Sequence, residues 1–339
     1  DDSTLPEDVY FQGYEQPWAI SCDKQGNIYI ADYAANHIKK FDSSGKYIGV
    51  IGRRGQGPEE FNMPYVLTIS KDRLVVWDMG NRRFSILTTD GKHIKSRTLN
   101  RNEEGWPWKM RTLPNGNILL ESEKLNREDI NNPQIREIRL YTPEMEYKKT
   151  LYSHEVQSDK YLTNPRRNIP VPFAPKVLWD MAPDGKIVIG YSDEYKFDVY
   201  DSEKGKLFSF AHDGLRIKVT KKDEELWFKG ITHSQGGFVT EGAPDYVIKN
   251  TEFPKFKPAF NQVMVDSAGN ILVSTHRKDL KEEYKFFDTF DSTGRFISSV
   301  RVLEGEYPSM GARVFDGYFF VRAPNEDELI KIVKYRISK

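Results

Sequence analysis

The sequence contains little cysteine, little histidine and no long apolar run. Cys22 is the only cysteine among the 339 residues, so no disulfide can form within the chain and cysteine usage does not indicate a redox compartment. No apolar run approaches the ~20 residues that a membrane-spanning helix needs, and we therefore expect no transmembrane segment. Lysine and arginine together number 50, as do aspartate and glutamate, which gives a formal net charge of zero. This balance argues against nucleic acid as the partner, because nucleic-acid-binding proteins usually carry a basic excess.

The chain also lacks the spaced residues of common catalytic and metal-binding motifs. Its six histidines are scattered, without the H-x-H or H-E-x-x-H spacing that brings two imidazoles to one metal ion. It contains no G-x-S-x-G motif and no P-loop. The glycine-rich stretch 52–57 leads into Pro58 and a new strand, so we interpret it as a connection rather than a phosphate-binding loop. We predict no catalytic residue, no metal site and no cofactor, with calcium left open because oxygen ligands could hold it.

What the sequence does contain is a repeated unit of turns and short apolar strands. Aromatic residues make up 13% of the chain, and 24 glycines and 18 prolines are spread along it, which favours many short strands. A turn centred on glycine or aspartate, followed by a compact apolar strand, occurs six times, and three of the five spacings are 44 to 48 residues. A period of about 40 to 50 residues with four strands per unit is typical of a β-propeller blade. The six turns lie at Gly26, Asp72, Gly116, Gly185, Gly269 and Gly317.

We therefore predict an all-β fold, in which residues 1–339 form a single six-bladed β-propeller domain with four-stranded antiparallel blades. The sixth unit lacks its fourth strand, and an apolar run at 8–12 precedes the first unit. We expect this N-terminal strand to join the C-terminal blade, because such closure removes a sheet edge. The predicted blades span 14–61, 62–104, 105–152, 172–214, 254–303 and 304–339.

One segment departs from the strand pattern. Residues 220–230 begin with a threonine that can cap a helix, carry an aspartate three residues later and end with glycine. This pattern predicts one short helix. The segment lies within residues 215–253, which we interpret as an insertion between blades four and five.

The residues of the first unit resemble an NHL repeat. The resemblance rests on Pro-Trp-Ala-Ile at 17–20, Gly-Asn-Ile-Tyr-Ile-Ala-Asp at 26–32, Asn-His-Ile-Lys-Lys-Phe-Asp at 36–42 and the connection at 52–64. Over essentially its whole length the chain is similar to bacterial six-bladed propeller proteins related to NHL repeats, whose helix-bearing insertion precedes a Phe-x-Pro-Ala-Phe segment, here 256–260. That group is mostly of unassigned function and often exported, frequently as lipoproteins. The resemblance implies a periplasmic or cell-surface location, with a lipid anchor outside the given sequence. A cytoplasmic location stays open as the alternative.

Loops at one end of a propeller are the expected binding region. The connections between blades and the turns between second and third strands meet on one face around the axis, and binding residues are common on such loops. Aromatic rings beside arginines can hold an anionic or sugar-like ligand by stacking and by forked hydrogen bonds. The candidate ligand-binding residues on this face are Trp18, Tyr33, Arg53, Arg54, Arg82, Trp108, Lys109, Tyr195, Asn261, His276 and Arg277.

Together with the resemblance, these residues predict a non-catalytic, exported binding or scaffold protein whose partner is a protein, a small molecule or a glycan. One alternative is a metal-dependent hydrolase, such as a lactonase, or a lyase at the same face, because six-bladed propellers include such enzymes. A second alternative is RNA binding, as in NHL propellers that use a basic face. Asp32, Asn36 and His37 could suggest catalysis, but we interpret them as residues that fix a turn and a strand start.

Overall fold

The computed structural model describes residues 20–124, 134–156, 172–214, 216–235, 238–278, 284–303, 313–315, 318–324 and 330–336. Within these ranges the chain is an all-β propeller of antiparallel sheets with three short helices. Five sheets have four strands each, joined in simple sequence order, and a further sheet has three strands. None of the helices in the described ranges is long and apolar enough to cross a bilayer.

The strands of the first three sheets are as follows. Sheet 1 contains β1 (Ile20–Cys22), β2 (Ile28–Asp32), β3 (His37–Phe41) and β4 (Tyr47–Ile51). Sheet 2 contains β5 (Pro64–Ser70), β6 (Arg73–Asp78), β7 (Arg83–Thr88) and β8 (His93–Thr98). After the helix α1 (Arg101–Glu104), sheet 3 contains β9 (Trp106–Thr112), β10 (Ile118–Lys124), β11 (Gln134–Tyr141) and β12 (Tyr147–Val156).

The remaining sheets flank an insertion. Sheet 4 contains β13 (Val177–Met181), β14 (Ile187–Tyr191), β15 (Lys196–Asp201) and β16 (Gly205–Ala211). The insertion contains α2 (Lys221–Lys229), the hairpin β17 (Thr232–Gln235) and β18 (Phe238–Glu241), and α3 (Asp245–Asn250). Sheet 5 contains β19 (Gln262–Val265), β20 (Ile271–Lys278), β21 (Tyr284–Phe290) and β22 (Phe296–Leu303), and sheet 6 contains β23 (Arg313–Phe315), β24 (Tyr318–Pro324) and β25 (Ile330–Arg336).

The sheets stand side by side with their first strands innermost. Strand β5 contacts β1 and β9, and β19 contacts β13 and β23. Burial decreases from the inner to the outer strands: every residue of β2 is buried, whereas most residues of β8 and β16 are half-buried or exposed. This gradient places the axis beside the first strands and the solvent beside the fourth.

Turn geometry explains why the repeat is visible in the sequence. Gly26 and Gly116 follow first strands and have φ of 82° and 88°, a region that glycine adopts without steric cost. In sheet 2 the turn has only two residues, Lys71 and Asp72, with φ of 47° and 58°. A two-residue hairpin loop of type I′ requires a positive φ at both of its residues. The glycine is therefore replaced there without loss of the hairpin.

Apolar side chains fill the spaces between sheets. One buried cluster joins sheets 1, 2 and 3 and includes Trp77 and Phe84, whose ring centroids lie 5.0 Å apart. Another joins sheets 4 and 5 around Phe197 and Phe260, at 4.7 Å. Because neighbouring sheets share no backbone ladder, this packing holds them together.

The predicted helix in the insertion is confirmed as α2. Asp223 N donates to Thr220 Oγ1 at 3.3 Å, and Thr220 N donates to Asp223 Oδ2 at 2.9 Å, which forms a capping box. The prediction of a single helix is wrong, because α1 and α3 are also present. Helix α1 has only four residues, too few to show a helical period, and α3 follows Pro244, which offers no capping side chain.

The blade count and the ring closure stay predictions. Besides the two-stranded hairpin of the insertion, the described residues form five four-stranded sheets and one three-stranded sheet. The N-terminal strand expected at 8–12 lies outside the described residues. The blade and domain boundaries proposed from the sequence likewise stay predictions.

Candidate functional site

The first strands end at one face of the propeller, where their turns surround an axial cavity. We call this the turn face, and we call the opposite face, which carries the connections between sheets and the turns between second and third strands, the connection face. The cavity has a volume of about 790 Å³, within the usual range of small-molecule sites. Its lining comprises residues 21–24 and 26 of sheet 1, 68–69 and 71–72 of sheet 2, 111–116 of sheet 3, 180–183 of sheet 4 and 265–267 of sheet 5.

A buried ion pair joins three sheets at this cavity. Asp180, on β13, is 3% exposed. Its Oδ1 accepts hydrogen bonds from Nε and Nη2 of Arg111, on β9, at 3.2 and 3.1 Å. Its Oδ2 accepts from the backbone N–H of Val265, on β19, at 3.1 Å. Lys109 Nζ lies 3.8 Å from Asp180 Oδ1 and donates to the carbonyl oxygen of Trp179.

This setting keeps Asp180 ionised. Burial alone would raise the pKa of the carboxyl group, but the cations of Arg111 and Lys109 and the Val265 N–H outweigh it, and the pKa lies below its ordinary value. The carboxylate therefore stays charged and orients the Arg111 guanidinium. A buried charge with several partners resists displacement, so the ion pair is a fixed part of the cavity wall.

Hydroxyl groups tie the first strands of sheets 1 to 3 together. Thr68 Oγ1 and Thr112 Oγ1 lie 2.9 Å apart. Ser21 Oγ accepts a hydrogen bond from the Ile69 N–H at 3.2 Å, and Ser70 Oγ donates to the Gly116 carbonyl at 2.6 Å. These contacts join neighbouring sheets by side chains where no backbone ladder exists, and they define the shape of the cavity mouth.

Two of the cavity carboxylates are used within their own turns. Asp23 accepts from the N–H groups of Gln25 and Asn27, from the Asn27 side-chain amide and from the Tyr29 hydroxyl, at 2.8 to 3.0 Å. Asp266 accepts from the backbone N–H groups of residues 268 and 270 and from the residue 270 side-chain amide, at 2.7 to 2.9 Å. Aspartate commonly bonds to the backbone of its own turn. These carboxylates therefore serve turn structure first.

Apolar residues follow Arg111 and Asp180 in the turns of sheets 3 and 4 and also line the cavity. Leu113 and Ala182 are 3% and 7% exposed and belong to two different core clusters. Pro114 and Pro183 stand at the rim beside them, and Met181 continues the apolar surface. The cavity lining thus combines the Arg111–Asp180 pair with apolar residues of the adjoining turns of sheets 3 and 4.

Of the residues predicted from the sequence, those that the structure describes lie toward the connection face, away from the cavity lining, except Lys109, which approaches Asp180. Tyr195 is 8% exposed and its hydroxyl donates to Asp288 Oδ2 at 2.7 Å. Arg277 bonds the same aspartate and also donates to Ser299 Oγ at 3.2 Å. Both side chains are therefore committed to structure within and between sheets 4 and 5.

Five other predicted residues lie in loops of the connection face. Arg53 and Arg54 are exposed, and Arg53 Nε donates to Glu60 Oε1 at 2.9 Å. Arg82 is exposed and has a φ of 52°. Tyr33 and Asn261 are half-buried. Trp18 lies outside the described residues, and ligand binding by this whole set stays a prediction.

Trp108 belongs to a cluster of rings and charges at the connection-face end of sheets 2 to 4. Its ring is 38% exposed, lies 6.2 Å from the Tyr65 ring and is covered by the Arg136 guanidinium at 5.5 Å. Arg136 donates to Glu121 Oε1 at 3.0 Å, and the Trp179 indole N–H donates to Glu121 Oε2 at 2.7 Å. The sequence prediction named Trp108 but not the charged residues that hold it.

His276 lies against the insertion. Its Nε2 is buried without a hydrogen-bond partner among the described residues. Burial, with a smaller contribution from the Lys257 cation, lowers the pKa of the imidazole to about 4, although Asp223 opposes this shift. Lys257 and Asp223 themselves form an ion pair at 2.6 Å that joins β-propeller and insertion. His276 is therefore neutral near pH 7.

The residues predicted to be structural in the first unit behave as expected. Asp32 Oδ1 accepts from the Ala35 N–H at 3.2 Å, and its Oδ2 pairs with buried Lys39 at 3.2 Å. Asn36 Oδ1 accepts from the Met63 N–H at 2.9 Å. His37 Nε2 lies 3.2 Å from Lys39 Nζ. Within the described ranges, no group of three or more histidine, cysteine or acidic side chains could hold a metal ion, and the prediction about calcium stays open.

Sequence reasoning missed the residues that shape the cavity. Arg111 and Asp180 are 69 positions apart, and nothing in a single sequence pairs them. The available signal was an acidic residue directly after Trp179 at the end of an apolar first strand. That pattern indicates that Asp180 has a specific role, but it does not identify Arg111 as its partner.

Comparisons with known proteins agree with this architecture. Residues 19–102 match the DUF5128 family, described as a 6-bladed beta-propeller. A human protein, NHL repeat-containing protein 3, is 29% identical over 115 residues. The chain is therefore similar to NHL-related β-propellers. The match covers 32% of this chain and 33% of the human protein, so the propeller spans about a third of the length of that curated relative.

Solved structures show the same fold over nearly the whole length of this chain. A Bacteroides fragilis protein, described by its name as exported, is 14% identical with a TM-score of 0.56, over 97% of this chain and 94% of that chain. A Bacteroides vulgatus member of the DUF4221 family is 11% identical with a TM-score of 0.53, over 98% and 96% of the two chains. At these identities the likeness extends to the fold alone.

Proposed function

We propose that this NHL-related propeller is a non-catalytic, exported binding protein that holds a small molecule in the axial cavity of the turn face. The observation that carries the proposal is the cavity of about 790 Å³ framed by the turns of five sheets. Preformed concave sites with an apolar wall and a few fixed polar groups are the usual small-molecule sites. This proposal moves the binding region from the connection face, where the sequence placed it, to the opposite end of the axis.

The cavity can be tested by filling it. Ser267 is exposed and lines the cavity from the turn of sheet 5, so Ser267→Trp adds bulk there without disturbing a core. Lys92→Trp is the matched control, because Lys92 is exposed in a third-to-fourth-strand turn on the same face and does not line the cavity. A chemically diverse small-molecule library is screened by ligand-observed NMR against the purified chain. We expect binders that Ser267→Trp abolishes and Lys92→Trp retains; binders equally sensitive to both substitutions contradict the proposal.

Export is part of the same proposal. It is supported by the resemblance to exported propellers and by the name of the Bacteroides fragilis protein that shares the fold. Fractionation of cells expressing the full-length gene, followed by immunoblotting, locates the protein. Recovery in the periplasm or at the cell surface is expected, and recovery with the cytoplasmic enzymes refutes export.

We also propose a ring of six blades in which residues 8–12 pair with β25 and complete sheet 6. The support is the sixth turn of the repeat and the three-stranded sheet 6. In a Cys22→Ser background, single cysteines at Tyr10 and at successive positions of β25 should form a disulfide in one register. Cross-linking at no position of β25 contradicts the closure.

A further inference from the structure

The polar groups of the axial cavity are unequal in what they still offer a ligand. Among its four lining aspartates, Asp23 and Asp266 are bonded within their turns and Asp180 is paired with Arg111 and Val265 N–H. Asp72 is exposed and lies 3.9 Å from Lys24. The acceptors of the cavity are thus largely satisfied by the protein itself.

The donors are not. The hydrogen bonds of Arg111 use Nε and Nη2 and leave Nη1 without a partner among the described residues, in a side chain that is 14% exposed. Lys71 is exposed at the rim and its ammonium group has no hydrogen bond to any described residue. Its methylene chain crosses from sheet 2 onto sheet 3, since a Cβ built at Gly116 would lie 2.8 Å from Lys71 Cε. The lysine side chain therefore lies along the rim between sheets 2 and 3.

We infer that the ligand of this cavity is a small monocarboxylate with an apolar body, bound by Arg111 from within and by Lys71 from the rim. The inference rests on the proposed function, since it names the ligand class of the same site. An Arg fixed by a buried aspartate presents its remaining N–H groups in a set direction, which suits a carboxylate. The apolar body lies against Leu113, Met181 and Ala182, which line the cavity beside the ion pair.

The charge balance favours one negative charge over several. Three cationic side chains line the cavity, Lys24, Lys71 and Arg111, beside the four aspartates. Lys109, whose Nζ lies 3.8 Å from Asp180 Oδ1, adds a fourth positive charge and brings the net charge of these side chains to zero. A polyanion such as a phosphate ester would need a positive excess, which this lining does not provide. A single carboxylate matched to Arg111 and Lys71 does not need one.

The test uses sets of probes that share one apolar body and differ in one group. Phenylalkyl and straight-chain bodies are each prepared as carboxylate, carboxamide, phosphate ester and amine. Affinities for the whole chain and for Ser267→Trp are measured by ligand-observed NMR and calorimetry. Carboxylates are expected to bind at least tenfold more tightly than their amides, a difference of about 1.4 kcal/mol, because a hydrogen bond between two charged groups is stronger than one to a neutral amide. Their binding should disappear in Ser267→Trp.

Two variants assign the carboxylate contacts. Arg111→Lys keeps a cation beside Asp180 but removes the free guanidinium N–H group, and it should weaken carboxylate binding about tenfold or more. Lys71→Gln removes an exposed cation and should weaken it about two- to fivefold, without affecting the fold. Lys92→Gln, at the exposed lysine outside the cavity, is the matched control and should change nothing.

The outcomes separate this inference from the proposed function. If amides, phosphate esters or amines bind as tightly as carboxylates and remain sensitive to Ser267→Trp, the cavity binds small molecules but the monocarboxylate assignment is wrong. Carboxylate binding unchanged in both Arg111→Lys and Lys71→Gln also overturns the assignment. If no probe in any set shows binding that Ser267→Trp abolishes, the proposed function and the inference both fail.

Discussion

Substitution of Asp180 by asparagine is the most direct test of the cavity architecture. The carboxylate receives two charge-assisted hydrogen bonds from Arg111 and one from the Val265 N–H. Asparagine keeps the shape and can still accept from Val265, but it leaves the Arg111 guanidinium without its counter-ion. Breaking a buried pair on one side costs about 3–5 kcal/mol. Since Arg111 and Lys109 are 14% and 26% exposed and regain some hydration, we expect a loss near the lower end, about 3 kcal/mol.

Urea unfolding followed by circular dichroism and tryptophan fluorescence measures this loss. With a urea m-value of at least about 3 kcal/mol per molar for a chain of this size, the midpoint should fall by up to about 1 M. The control is Asp184→Asn, the same chemical change at a carboxylate that is 53% exposed and paired with Lys186. Exposed pairs contribute about 0–1 kcal/mol. Equal losses for the two variants would show that Asp180 does not hold three sheets together.

The pH dependence of stability in wild type and in Asp180→Asn gives a second test of the ion pair. The pKa of Asp180 in the folded state lies below its ordinary value, so its stabilisation is fully present above the unfolded pKa of about 3.9 and is lost as the pH falls through the folded pKa. The difference in free energy of unfolding between wild type and Asp180→Asn should therefore be constant from about pH 5 to pH 8 and should narrow below about pH 4. A difference that narrows above pH 5 contradicts the lowered pKa.

Three further predictions concern turns, caps and titration. Gly294→Ala should destabilise the fold by clearly more than Gly45→Ala, as measured by urea unfolding. Both glycines have a φ near 85°, where an alanine costs about 1–2 kcal/mol. Only at Gly294 would the added Cβ also meet Phe210, 2.3 Å away. Thr220→Ala removes the capping box of α2 and should lower the free energy of local opening of this helix by about 1 kcal/mol, which is measured as faster amide hydrogen exchange across α2. His276 should titrate near pH 4 by NMR, and stability should fall between about pH 6.5 and 4, because only the unfolded chain takes up the proton there.

Each of these has an outcome that contradicts it. Equal destabilisation by the two glycine substitutions would remove the role of the Phe210 contact. Unchanged exchange in α2 after Thr220→Ala would show that the cap does not limit helix opening. A His276→Gln variant whose stability falls over the same pH interval as wild type would place that titration elsewhere.

The repeat could be predicted from the sequence because its signals are local. Gly26-Asn27 and its equivalents fix hairpin turns through positive φ values, and the short apolar strands beside them alternate with those turns. The capping residues Thr220 and Asp223 lie three positions apart, so α2 could also be predicted from the sequence. Such features depend on neighbours in the chain.

The cavity could not be predicted because its contacts are distant in the sequence. Repeat spacing shows that first strands end together, but it does not show which end of the axis is open. Tyr195 illustrates the same limit: it follows a strand on the predicted binding face, yet its hydroxyl bonds Asp288, 93 positions away on the next sheet. A residue placed correctly by the repeat can therefore still have a structural role that only the packing of sheets reveals.

The turns that line the cavity each complete their own hydrogen bonds. Asp23 and Asp266 bond the backbone of the turns that contain them, and the strand ladders begin only beyond those turns. The turn of Asp23 or of Asp266 can therefore change in sequence while the strand ladders stay intact. In evolution, or in the laboratory, the specificity of such a site can diverge by small steps in these turns, while the strand ladders and the Arg111–Asp180 pair keep the sheets in place.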